Sequence, residues 1–148
     1  MTPTTVAAVV ASALALAWAI SLERKRRAAL ALYWSRGCAG REWRAAFPSA
    51  TKGDIREYLY LVVDAFGFER SRALQLSPSD TVLGLYRACY PDPSAPDALE
   101  TELLVGTLSK KYRGVKLGTL PDTVTFGELF SIVTGERPNT SLERGREG

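Results

Sequence analysis

The sequence predicts an all-α protein, a small three- or four-helix bundle behind an N-terminal transmembrane helix. Three observations carry this. Val6 to Leu22 is a run of seventeen residues without a charge, interrupted only by Ser12 and Ser21. Three later segments open with a capping residue followed three positions on by glutamate, the pattern that satisfies two orphan backbone N–H groups at a helix start. Behind each opening, apolar residues recur every three or four positions, the helical period. At 148 residues and 46% hydrophobic, the chain has room for one small domain and its appendages.

The apolar run comes first. As a helix, seventeen residues reach about 26 Å, slightly short of a hydrocarbon core of about 30 Å. A signal peptide carries its positive charges ahead of the apolar stretch, but Met1-Thr2-Pro3-Thr4-Thr5 has none and Glu23-Arg24-Lys25-Arg26-Arg27 follows instead. Residues 1–22 therefore read as a retained single-pass anchor, with a cleaved signal and a buried core helix as the rival readings. Lys and Arg mark the cytoplasmic flank of a span. Arg24, Lys25, Arg26 and Arg27 thus predict a protein of the cell membrane with its N-terminus outside and its C-terminal domain cytoplasmic.

The formal charge of +3 is unevenly placed. Residues 23–48 hold seven basic and two acidic side chains, whereas residues 51–137 hold ten basic and twelve acidic ones. The basic character belongs to the juxtamembrane segment, where anionic headgroups meet it. The expected partners are accordingly the lipid bilayer and not nucleic acid. With no histidine and only two cysteines, Cys38 and Cys89, the chain lacks the residues for Ser-His-Asp or Cys-His catalysis and for the common zinc sites. Asp54, Glu57, Asp97 and Glu100 are better explained as caps than as a catalytic pair. No enzyme activity, cofactor or metal is expected. Cys38 lies close enough to the membrane for acylation, with a small buried or idle cysteine as the plainer reading.

Residues 23–53 read as a basic juxtamembrane helix and linker. Ala28 to Trp34 continues the helix out of the bilayer and sets Tyr33 and Trp34 near the headgroups. Arg41 to Phe47 carries Trp43 and Phe47 on one face, suited either to lie on the membrane or to dock on the domain. Pro48 to Gly53 is the linker, and the domain occupies 54–137. Its first helix opens at Asp54-Ile55-Arg56-Glu57 and buries Ile55, Tyr58, Leu59, Val62, Val63 and Phe66 up to Gly67. A short helix over Val82 to Tyr90 follows a Ser77 cap with Pro78 at the first helical position. Pro91 to Pro96 then forces an extended approach. The second capped helix opens at Asp97-Ala98-Leu99-Glu100, with a stripe of Leu99, Leu103, Leu104, Thr107, Leu108 and Tyr112 and a stop at Gly114. Val115 to Asp122 is either a short strand or a loop with one helical turn. The last helix opens at Thr125-Phe126-Gly127-Glu128, turns Phe126, Leu129, Phe130 and Val133 inward and closes at Gly135. From Pro138 to Gly148 the polar tail is expected to be disordered.

This layout, over roughly residues 54–134, resembles that of acyl carrier proteins. The stretch Asp97-Ala98-Leu99-Glu100-Thr101-Glu102-Leu103-Leu104, the turn Lys111-Tyr112-Arg113-Gly114-Val115 and the final Thr125-Phe126-Gly127-Glu128-Leu129 carry the likeness. In that family the helix opens with Asp-Ser-Leu, and the serine accepts the phosphopantetheine arm. Here Ala98 stands at that position, and a methyl group cannot become a phosphoester. Ser94 and Ser109 do not match the motif. Lys110, Lys111 and Arg113 also follow the early carboxylates, unlike the acidic second helix of most carriers. The resemblance therefore implies a carrier-like body without carrier chemistry, a membrane-anchored module that binds an unidentified protein. Its expected contact residues are Asp97, Ala98, Glu100 and Thr101. The alternatives are a genuine carrier modified at another serine and a small membrane protein with a generic helical bundle.

Overall fold

Nothing in the sequence stops the N-terminal helix where its charges begin, since no glycine or proline occurs between Thr4 and Trp34. In the computed structural model, which describes residues 3–92 and 99–139, α1 is one continuous helix over Pro3–Trp34. Its 32 residues extend about 48 Å. The helix as a whole is long and apolar enough to cross a membrane, and none of its apolar window is buried in the domain; Val9, Leu14, Leu16 and Trp18 are each at least 60% exposed. A core helix would bury this surface, so that rival reading fails. Only the last turns pack, with Leu30 buried and Ala29, Tyr33 and Trp34 against the same core.

Tyr33 and Trp34, expected near the headgroups, are partly buried against the core of the domain. They lie about 18 Å beyond Leu22 along the helix, too far to line the edge of a span ending there. Trp34 packs edge-on against Phe68 at 4.9 Å between ring centroids, and the Arg36 guanidinium lies 4.9 Å from the centre of the Tyr33 ring.

Helix α2, Gly40–Ala46, docks on the domain. Trp43 is fully buried and its Nε1 donates to the Leu76 carbonyl at 2.8 Å, which satisfies the one polar atom of a large apolar side chain. Phe47 follows it inward. Trp43, Phe47, Tyr58 and Phe130 form an aromatic cluster with edge-on contacts from Phe130 to Trp43, Phe47 and Tyr58 at 5.7, 4.9 and 5.1 Å. The core thus runs across residues 48–53 and is not confined to 54–137.

Helix α3, Lys52–Ala65, starts earlier than its sequence cap suggests. Thr51 is the N-cap: its hydroxyl accepts from Asp54 N–H at 3.1 Å while the Asp54 carboxylate accepts from Thr51 N–H at 3.3 Å. Asp54 is the third helical residue of that box, and Glu57 instead pairs with Lys111. Ile55, Tyr58, Leu59, Val62, Val63 and Phe66 are all buried as their spacing requires. Gly67 ends the run with φ at +70°, a conformation that favours glycine.

A 3-10 helix over Arg70–Gln75 packs on α3. Ser77 and Pro78 do not start a helix. Ser77 N–H donates to the Asp80 carboxylate at 2.8 Å, and Asp80 N–H returns to the Ser77 carbonyl at 3.1 Å, closing a turn. Helix α4, Val82–Cys89, is capped by the Thr81 hydroxyl, which accepts from Gly84 N–H at 3.0 Å. Helices α5, Leu99–Lys111, and α6, Phe126–Thr134, complete the bundle. In α6 the Thr125–Glu128 box forms in both directions and Gly135 caps the end at φ +76°. Thr81 and Thr125 form an antiparallel bridge, so the starts of α4 and α6 are joined by backbone hydrogen bonds. Pro78 lies so close that a Cβ on Gly127 would meet its carbonyl oxygen at 2.9 Å.

Among the described residues there are six α-helices, one 3-10 helix and no strand beyond that single bridge. Val115 to Asp122 is a loop, with Leu117 and Leu120 packed against the core. Of the tail, Pro138 and Asn139 are described, and Asn139 N–H donates to the Ala46 carbonyl at 2.7 Å. The remainder of that segment, residues 140–148, lies outside the described residues.

Candidate functional site at the start of α5

Helix α4 runs back along α1. The Tyr33 hydroxyl faces Gly84 near the start of α4, Arg36 Nη1 donates to both Asp80 oxygens at 2.6 and 2.8 Å just before it, and Arg26 acts electrostatically on Cys89 and Tyr90 at its far end. The end of α4, and the start of α5 that contacts it through Tyr90, therefore sit on the side of the domain nearest Arg24 to Arg27. Within that flank, Glu23 binds Arg27 at 2.8 Å and Arg26 at 3.7 Å, one helical turn apart.

Two of the four expected contact residues, Asp97 and Ala98, lie outside the described residues, as does Ser94. Glu100 and Thr101 occupy the first turn of α5 and are both half-buried. Glu100 is engaged: the Tyr90 hydroxyl donates to its Oε1. That bond, with some burial, pushes the Tyr90 hydroxyl up to about 12, and Arg26 works in the opposite direction. Next to it, burial pushes the Cys89 thiol up to about 11, opposed by Arg26 and reinforced by Glu100. Thr101 lines a cavity of about 520 Å³ between α4, α5 and the 115–122 loop, together with Leu83, Tyr86, Val105 and Leu120.

The exposed residues of this edge include, beside Glu102, two leucines that the sequence stripe placed inside. Leu99 is 61% and Leu103 50% exposed, whereas Leu104 and Leu108 are fully buried. At 100° per residue, Leu99 and Leu103 fall on one side of the helix and Leu104 and Leu108 on the other. Leu99, Leu103, Gly106 and Lys110 border a shallow groove of about 280 Å³. Ser109, at the opposite end of α5, is half-buried.

A second basic grouping is not visible in the linear distribution of charge. Arg41 and Arg44 are one turn apart on α2, and Lys52 and Arg56 are one turn apart on α3. The structure brings these two pairs around one cavity. Their three- and four-residue spacings were legible, but their convergence depends on how α2 docks, which spacing does not contain.

No family model, curated protein or solved structure matches the chain.

Proposed function

We propose that this chain is a membrane-anchored, acyl-carrier-like module that binds another protein and carries no acyl group. The observation that supports it most is the division of α1, whose N-terminal half exposes an apolar surface while its last turns are part of the core. A domain built onto the end of its own span is held at a fixed height above the bilayer. With Arg24 to Arg27 on the cytoplasmic flank, the N-terminus is outside and the domain cytoplasmic. The start of α5 then lies close to the membrane and offers Leu99 and Leu103 beside Glu100 and Thr101 as the contact surface.

The carrier likeness rests on the motifs of α3, α5 and α6, and Ala98 removes the hydroxyl that carrier chemistry needs. Intact mass after co-expression with a phosphopantetheinyl transferase is expected to show no adduct; an adduct at any serine overturns the non-carrier reading. Photo-crosslinking in intact membranes tests the contact surface. A crosslinker at Leu103 is expected to give a discrete protein adduct that one at Ile132, equally exposed on α6, does not. Identical patterns from the two positions would remove the binding role of this edge.

A further inference from the structure

The cavity between α2 and α3 has a volume of about 610 Å³, within the range of small-molecule sites, about 300–1,000 Å³. Arg41, Arg44, Lys52 and Arg56 stand around it, and Ile55 and Leu74 contribute apolar surface. Among the described residues no carboxylate lines it. Among the described residues none of these four cations enters an ion pair, whereas Arg26, Arg27, Arg36, Arg70 and Lys111 all do. The acids closest in sequence are occupied elsewhere: Glu42 accepts from the Ser77 hydroxyl at 2.6 Å, Asp54 belongs to the Thr51 cap, and Glu57 binds Lys111.

Four like charges facing one concavity create a positive potential focused by its low-dielectric walls. A multivalent anion relieves their mutual repulsion. Guanidinium groups present planar, paired donors that match the oxygens of a phosphoryl group, and the apolar surface beside them suits a hydrocarbon substituent on the same ligand. We propose that this cleft binds a phosphate ester with a short apolar substituent, its phosphoryl group held by Arg41, Arg44, Lys52 and Arg56 and its apolar part against Ile55 and Leu74. Two sources share that chemistry, a phospholipid of the bilayer and a soluble phosphomonoester. The site is separate from the start of α5 and does not depend on the protein-binding role proposed for it.

Cys38 lines the same cleft and is exposed, whereas Cys89 is buried, so alkylation of Cys38 by a neutral reagent reports occupancy. In the full chain held in phosphatidylcholine nanodiscs, dihexanoyl phosphatidic acid is expected to slow that alkylation saturably. It should act at concentrations about tenfold or more below those needed with inorganic phosphate, since burying even two methylene groups has this effect. The double variant Arg44→Gln/Arg56→Gln is expected to weaken protection about tenfold or more, through loss of charge-assisted hydrogen bonds. Arg113→Gln/Lys116→Gln, at two exposed cations that do not line the cleft, should leave it unchanged. Protection by long-chain phosphatidic acid within the nanodisc assigns the ligand to the bilayer, and protection by the soluble ester alone assigns it to solution; each supports the site. Absence of protection by either ester overturns it, as does undiminished protection in the double variant. If far-UV circular dichroism shows that the double variant is unfolded, Arg44→Gln alone must still weaken protection, and equal protection there is likewise contrary.

Discussion

Trp43 joins the parts of the chain that sequence reading kept separate. It comes from the juxtamembrane segment, whose aromatic face suited either the membrane or the domain, and it is fully buried against Phe47, Tyr58 and Phe130. Trp43→Ala is therefore expected to cost about 3–5 kcal/mol, read by urea unfolding of the detergent-solubilised chain; a cost below about 1 kcal/mol would mean that α2 is only laid on the domain. The two thiols give a second residue-scale test. Cys38 is exposed and Cys89 is buried with its titration pushed from 9.0 up to about 11. One equivalent of thiol reagent should react in the native protein at neutral pH and the second only on unfolding. Because the folded value of Cys89 is raised, its contribution to stability is fully present below pH 9 and is lost as pH rises through about 11. Cys89→Ala should flatten that part of the stability profile, and an unchanged slope would contradict the assignment.

Among the elements, helix ends separate what was legible in the sequence from what was not. The Thr125–Glu128 cap and the Gly135 stop are local motifs, and both form as spacing alone implies. The start of α3 is local too, but Thr51–Asp54 and Asp54–Glu57 share the same three-residue spacing, so sequence offers two solutions. The structure takes the earlier one, which satisfies Asp54 N–H through the Thr51 hydroxyl and leaves Glu57 for Lys111. Thr51→Ala should then destabilise by about 1 kcal/mol, while Glu57→Gln, which removes only an exposed ion pair, should change stability by less than about 0.5 kcal/mol. Thermal unfolding of the two variants decides between the solutions, and the reverse ranking would restore the later cap. In α5 the difficulty is different. Leucines occur on both sides of the helix, so the apolar period does not say which side packs, and contacts with α3 and α4 decide it. The 3-10 helix over Arg70–Gln75 had no periodic signal to read.

For the whole molecule, the linear charge count of residues 23–48 resolves into three destinations. Arg24 to Arg27 stay on the exposed flank of α1, Arg36 is tied to Asp80, and Arg41 and Arg44 face the cleft with Lys52 and Arg56. The candidate contact edge was only partly legible for a related reason. Its position near Arg24 to Arg27 follows from α4 folding back along α1, a long-range packing that no local motif encodes. What holds the proposed function together is α1 as both span and core element. The most direct test is labelling of an otherwise native chain carrying Thr4→Cys in intact cells with a membrane-impermeant thiol reagent, followed by alkaline carbonate extraction of the membranes. The expected result is retention in the membrane pellet, reaction of the introduced N-terminal thiol from outside, and reaction of Cys38 only after the membrane is permeabilised. Release by carbonate, loss of the N-terminal label from the mature chain, or labelling of Cys38 in intact cells would contradict a domain built on the cytoplasmic end of its own membrane anchor.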